Sequence, residues 1–556
     1  MPRSHTSRPG GGALVAITLL VLSLLAGAFA GAAQADDPPS PSATPTTAAP
    51  DAGGTDGKLA ETLLGNGPEP APENWVVRRG VSSTVNVAMN DDCSPNPADT
   101  CAYSKGSYVP SKWSFSISSA GVMTFKAPSD ARPGRYHLYY KVTNTKDASL
   151  TAESYVSVAI TPDSYTAPTG VTFSHPYRKH YKYKIRDRIV RAINSVPSGA
   201  RIQMASWSFA SRTYTRALKN AKNRGVTVQI ILSARNKRSN SDYRTLRDFF
   251  GTSVTSSGSW VKKCSYSCRG VGGTMHSKIF LFSQVYRTPS VMMSGSANLT
   301  DFAVSNQWNQ MSTVSGNKPV YSDAVTIFWQ MAADRKANPV YVEKTYPTLT
   351  NYYYPTTSVI TSTDFMYKAL NRVQCTGAAN TSDGRTVIKI AMYAWYQDRG
   401  KWLAKRVRYL WEHGCKIRIV YAISSNPVKK VLYSPAGRGR IPMRQILLTN
   451  TEGTPIYYLH DKWVAIRGHY GTNTRAWMAF QGSFNFSDLG FYSDENFQML
   501  PGYSTYTNFA KDFDLLWKDK QARAPSPISK IPTIDGRYSQ DDLRLGTGVY
   551  RYMEAD

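Results

Sequence analysis

RIQMASWSF (201–209) and VIKIAMYAW (387–395) are two runs whose apolar residues occupy both faces of a strand, and each opens the same order of elements. After the first comes SRTYTRALKNAKNRG (211–225), a helix stopped by Gly225, and then the strand VTVQIIL (226–232). After the second comes KWLAKRVRYLWEHG (401–414), stopped by Gly414, and then KIRIVYA (416–422). Glycine past the last helical turn supplies a left-handed cap. Strands that are apolar on both faces belong to sheets covered by helices, and strand, helix, strand implies a right-handed crossover. Each unit ends in an aromatic helical stretch, SDAVTIFWQMAADR (322–335) and NFAKDFDLLWKDK (508–520). Shared order and spacing mark a duplicated unit.

The rest of the chain is organised around this repeat. At 556 residues it is too long for one ordinary core. Arg3 and Arg8 precede an uncharged apolar run from Ala13 to Ala30 and the small residues AQA (33–35), the layout of a signal peptide at 1–35. A single membrane anchor is the competing reading. Residues 36–70 are rich in Pro, Ala and Thr and read as a disordered linker. Residues 71–163 carry short alternating runs such as KWSFSIS, VMTFKA, YHLYYKV and SYVSVAI, which predict a β-sandwich module. The expected fold class is therefore α/β: two similar lobes, 168–345 and 346–545, each a β-sheet flanked by helices, preceded by a small all-β sandwich module.

Six cysteines in an exported chain favour disulfides, and the simplest pairing is local: Cys93 with Cys101, Cys264 with Cys268, Cys375 with Cys415. No second Cys or His pair follows Cys264 and Cys268 at a zinc-ribbon spacing, so no metal is expected there. The formal charge is +28, and it is unevenly spread. Residues 36–163 hold ten basic and fourteen acidic side chains, whereas 164–556 hold 54 basic and 24 acidic. Such a field attracts polyanions or an anionic membrane surface, although a basic exterior also serves solubility.

The chemistry-bearing residues fall in the repeat. MHSKIFLF (275–282) holds His276 and Lys278, and YLHDKWVAI (458–466) holds His460 and Lys462. Residues two apart on a strand share a face. Ile202 precedes His276 by 74 residues, and Ile388 precedes His460 by 72. Each pair is followed by Gly-Ser-x-Asn: GSAN (295–298) with Ser296 and Asn298, and GSFN (482–485) with Ser483 and Asn485. Burying these ionisable groups without partners would be costly. Beyond residue 35 the remaining histidines, His137, His175, His180, His413 and His469, have no partner at a recognisable spacing and read as surface or packing residues.

HSK with GSAN and HDK with GSFN resemble the two half-motifs of the phospholipase D superfamily, over roughly residues 168–545. The resemblance implies a phosphodiester held between the lobes by Lys278, Lys462, Asn298 and Asn485, with no metal and no cofactor. It implies attack by one histidine to give a phosphohistidine and protonation of the leaving oxygen by the other; His276 is assigned the attack and His460 the acid and base duty. Glu495 is expected to orient a histidine, with the amide Gln307 as its first-lobe counterpart, and Ser296, Ser483 and Gln307 are expected against the substrate. The family's motif has an aspartate seven residues after each histidine; here Ser283 and Arg467 stand there.

The expected activity is a secreted phospholipase D-like phosphodiesterase acting on phospholipid head groups as a monomer. The alternatives are an extracellular nuclease using the same cleft on nucleic acid and a noncatalytic protein that binds polyanions or cell surfaces.

Overall fold

A computed structural model describes residues 67–525, apart from 69, 71–72, 90, 92, 94–97, 162–165, 238, 450 and 452–454. The expected signal peptide, nearly all of the linker, and the last residues of the second lobe lie outside the described residues.

Two antiparallel-rich sheets form between Glu73 and Thr161. One orders Glu73–Arg78, Thr151–Thr161, Gly134–Asn144 and Cys101–Lys105; the other orders Ser82–Asn86, Val122–Lys126 and Ser114–Ile117. Along Gly134–Asn144 the side chains of Leu138, Tyr140 and Val142 are buried while Lys141 is exposed, the alternation of a strand with one covered face. Trp75, Met123, Phe125 and Val158 fill the space between the sheets.

The remainder contains two nine-stranded sheets. The elements common to both are labelled here in chain order: β1 (Arg201–Ser206), α1 (Arg212–Asn223), β2 (Thr227–Ser233), β3 (Ile279–Val285), β4 (Thr288–Gly295), β5 (Gln307–Val314) and α2 (Lys318–Ala333). In the second half follow β6 (Val387–Trp395), α3 (Gln397–Glu412), β7 (Lys416–Ser424), β8 (Lys462–Tyr470), β9 (Asn473–Gly482), β10 (Asn496–Pro501) and α4 (Tyr503–Trp517). The strand orders match: β2-β1-β3-β4-β5 and β7-β6-β8-β9-β10. In each, the first two strands are parallel, as the helical crossover requires, and the other neighbours are antiparallel. Gly225 and Gly414 end α1 and α3 at φ +87° and +94°. This is the α/β, two-lobed architecture expected from the repeat.

The halves are joined through their sheets. Pro455–Leu459 of the second half pairs in parallel with β5, with Gln307 opposite Tyr458 and Trp308 opposite Leu459. One apolar cluster runs from Trp260, Trp308 and Phe328 to Trp463, Phe509 and Phe513, with α2 and α4 contributing their aromatic faces. At about 1.5–3 kcal/mol for each large apolar side chain taken out of water, this shared core is what holds the halves against each other. Polar groups in the seam are also matched. Gln481 Nε2 donates to Ser312 Oγ at 2.9 Å and to Gln498 Oε1 at 2.7 Å, and Ser312 Oγ donates to Gln498 as well.

The cysteines join as Cys93–Cys101, Cys264–Cys268 and Cys375–Cys415. No described helix is long and apolar enough to cross a membrane.

Candidate active site

The motif histidines stand just before β3 and β8, where each strand meets the other half. The His276 N–H donates to Asp494 O at 3.0 Å, and the His460 N–H to Trp308 O at 2.9 Å. Each segment is thus fixed by backbone from the opposite half.

The rings are held in the same crossed manner. His276 Nδ1 lies 2.8 Å from Glu495 Oε1, and Ser483 Oγ donates to the other oxygen of that carboxylate. His460 Nδ1 lies 2.8 Å from Asn309 Oδ1, and Ser296 Oγ donates to that oxygen at 2.8 Å. Both acceptors face Nδ1, so they select the tautomer that carries its proton there and leave Nε2 as the basic nitrogen of the neutral ring. The lysines follow suit: Lys278 Nζ and Lys462 Nζ donate to the carbonyls of His276 and His460, each at 2.9 Å. Their ammonium groups lie 5.5 Å from the Trp207 ring centre and 4.9 Å from that of Tyr393. Trp207 and Tyr393 occupy matching places in the repeat. All four motif residues are buried, with His460, Lys278 and Lys462 at 0 % exposure.

The Gly-Ser pair of each motif has a steric reason. A Cβ on Gly295 would stand 2.1 Å from Gln310 O, and one on Gly482 2.1 Å from Asn496 O. Those two carbonyls accept the N–H of Ser296 at 3.0 Å and of Ser483 at 2.9 Å, so only glycine lets the turn close onto its neighbouring strand. Asn298 and Asn485 follow these turns and are buried at 1 % and 9 % exposure. Beneath Asn485, the Arg399 guanidinium donates to its carbonyl and pairs with Asp364 through two 3.0 Å bonds.

Several of these groups were not foreseen. Gln307 does not occupy the place of Glu495; Asn309 does. Gln307 instead donates to Tyr458 Oη at 2.7 Å and stands behind Asn309, from which its own oxygen accepts at 3.4 Å. Ser296 and Ser483 spend their hydroxyls on the groups that orient the rings. Asn496 Oδ1 and Gln310 Oε1 accept the N–H of Lys278 and Lys462 at 2.9 and 3.2 Å. The doublets Asn309-Gln310 and Glu495-Asn496 therefore correspond, and this could have been read by aligning QWNQM with DENFQM at the amide after the acid. Asn309 stands eleven residues after Asn298, whereas Glu495 stands ten after Asn485, which defeats a count of equal spacings.

Asp461, between His460 and Lys462, lies buried near His175 and Asp512. Burial, with Asp512 adding like charge, holds its carboxyl well above the usual range. His175 is itself buried and lies 2.7 Å from Asp512; burial pushes it down to about 4 and raises Asp512, favouring the neutral form of both. His175 is thus a packing residue, and its partner lies 337 residues away, beyond any spacing legible in the sequence.

Residues 189–332 match the family described as the phospholipase D-like domain of cardiolipin synthase. That stretch carries a phospholipase D-like domain. No curated protein matches it. Among solved structures, polyphosphate kinase from Porphyromonas gingivalis is 11% identical, with 85% of this chain and 82% of that one covered and a TM-score of 0.42. Phosphatidylserine synthase from Haemophilus influenzae is 11% identical over 65% of this chain and 88% of that one, with a TM-score of 0.43. Nuc, a phospholipase D family member from Salmonella typhimurium, is 18% identical over 30% of this chain and 95% of that one, with a TM-score of 0.24.

The two positions that depart from the motif lie well along their strands. Ser283 and Arg467 are five residues beyond Lys278 and Lys462, about 17 Å at strand rise. Ser283 Oγ accepts the N–H of Arg201 at 2.8 Å. The Arg467 guanidinium donates to Asn380 O and lies 4.8 Å from the Trp477 ring centre. Both residues serve the far end of the sheet.

Proposed function

We propose that the protein is a secreted phosphodiesterase of the phospholipase D type that cleaves phospholipid head groups through a phosphohistidine. The crossed hydrogen bonds from His276 to Glu495 and from His460 to Asn309 carry this reading, because they fix two imidazoles at one seam. In the first step His276 Nε2 attacks phosphorus, an N–P bond forms, the P–O bond to the leaving group breaks, and His460 gives that oxygen a proton. In the second, His460 takes a proton from water, the water oxygen bonds to phosphorus, and the N–P bond breaks to restore His276. Lys278, Lys462, Asn298 and Asn485 donate to the nonbridging oxygens and offset the charge that builds there.

The unequal orienting groups support giving the attack to His276. A carboxylate beside an imidazole stabilises the positive charge the ring gains as it bonds to phosphorus. Asn309 orients His460 without that charge, leaving it readier to release a proton. Asn309→Asp should therefore raise the proton affinity of His460 and move the alkaline limb of the kcat/KM profile to higher pH. An unmoved limb would remove His460 from the acid role.

Phospholipid is favoured over nucleic acid by the loop that leads to His276, which exposes Tyr266 at 50% and Val271 at 76% on a strongly basic chain. Purified protein in EDTA, offered phosphatidylcholine vesicles or plasmid DNA, tests the reading: head-group release is expected. Cleavage of DNA alone would assign the nuclease, and silence on both the binding protein.

A further inference from the structure

The Cys264–Cys268 disulfide closes a loop between the Trp260–Cys264 strand and His276, and both half-cystines are fully buried. Two amides at the end of the bridge point at one carboxylate of the other half: the Cys268 N–H lies 2.5 Å from Asp494 Oδ2, and the Arg269 N–H 3.1 Å from Asp494 Oδ1. Asp494 is 1% exposed, and its backbone is what holds the His276 segment. Its N–H donates to Thr274 O and its carbonyl accepts from the His276 N–H, both at 3.0 Å. The next residue is Glu495, which holds the His276 ring.

The loop is anchored from behind. The Arg269 guanidinium is fully buried and donates to Gln330 Oε1 at 2.9 Å, Tyr354 O at 2.9 Å and Val340 O at 2.8 Å. Tyr354 N–H in turn donates to Glu495 O at 3.0 Å. Burial pushes the Asp494 carboxyl up to about 7, against the opposing pull of Arg269, the two amides and the Ser267 hydroxyl. A buried carboxylate whose oxygens accept from fixed amides is sensitive to their placement, because losing a donor there leaves an unsatisfied charge.

Resting on the proposed role of His276, we propose that Asp494 is a positioning residue for the His276–Glu495 pair, and that the Cys264–Cys268 bridge acts on catalysis by holding the amides that Asp494 grips. The carboxylate ties the loop to the segment that carries Glu495 into β10, and the same residue's backbone sets where His276 enters the site. Neither Asp494 nor the disulfide touches substrate.

The test combines turnover with a readout that needs none. Asp494→Asn should lower kcat on cleaved phospholipid by about tenfold or more while KM stays within about twofold, since the phosphate-binding groups are untouched. The Cys264→Ala and Cys268→Ala double variant should lose a similar factor, and combining it with Asp494→Asn should add little, because both act through one contact. In NMR titration of the free protein, Asp494→Asn should shift the apparent pKa of the His276 imidazole, whereas Asp512→Asn, a buried carboxylate on α4, should not. That titration is read without substrate, so absence of turnover in the unaltered protein counts against the proposed function and leaves this inference to the imidazole. An unshifted His276 in folded Asp494→Asn protein, or additive losses in the combined variant, would overturn it.

Discussion

Alanine at His276 should reduce turnover on the order of a thousandfold or more, because it removes the atom to which phosphorus becomes bonded. Alanine at His460 should be about as damaging on a phospholipid, whose alkoxide is a poor leaving group and needs the proton. The two variants separate on a p-nitrophenyl phosphodiester, whose phenolate departs unaided. There the His460→Ala protein should still complete the first step and then stall, because no base activates water, so acid-labile phosphoprotein accumulates at His276. His276→Ala protein should yield none. Phosphoprotein in the His276 variant and none in the His460 variant would reverse the assignment, and its absence from both would remove the covalent step.

Asp364→Ala should be the most destabilising single change at the site, costing about 3–5 kcal/mol. Asp364 and Arg399 are both at 0 % exposure, and two 3.0 Å bonds join them. Trp402 Nε1 adds a 2.9 Å bond to the same carboxylate, and the guanidinium lies 3.6 Å from the Phe484 ring centre. Removing the acid leaves a buried guanidinium without its paired carboxylate, with Asp488 acting on it only at longer range. Replacing both members, Asp364→Leu with Arg399→Met, should recover much of the loss, because the uncompensated charge goes with them. Urea unfolding read by fluorescence measures both. Recovered stability need not restore turnover, since Arg399 also holds the carbonyl of Asn485. A midpoint for Asp364→Ala equal to that of the unaltered protein would mean that the pair contributes nothing to stability.

Periodicity exposed the duplicated framework because both halves bury strands on two faces and stop their helices with glycine. Those are local consequences of backbone geometry. His276, Lys278, His460 and Lys462 were equally legible, since two-residue spacing on a strand needs no tertiary information. The crossed partners were harder. Asn309 reaches His460 only because β5 lies beside Pro455–Leu459, a pairing between segments some 150 residues apart. Ten residues on from Asn298, the spacing that joins Asn485 to Glu495, stands Trp308, so spacing alone misses Asn309 by one. Asp494 and Arg269 were invisible for a similar reason: a buried acid and a buried arginine gain meaning only from the amides and carbonyls that fold around them.

Each half of the repeat keeps an imidazole whose tautomer is chosen by a side chain belonging to its twin. Neither half is therefore self-sufficient, and a forebear with a single copy would have needed a second identical molecule to complete it. Fusion made that companionship permanent. It also freed the two lenders to diverge, one retaining an acid and the other an amide, a division of labour closed to an assembly of identical subunits.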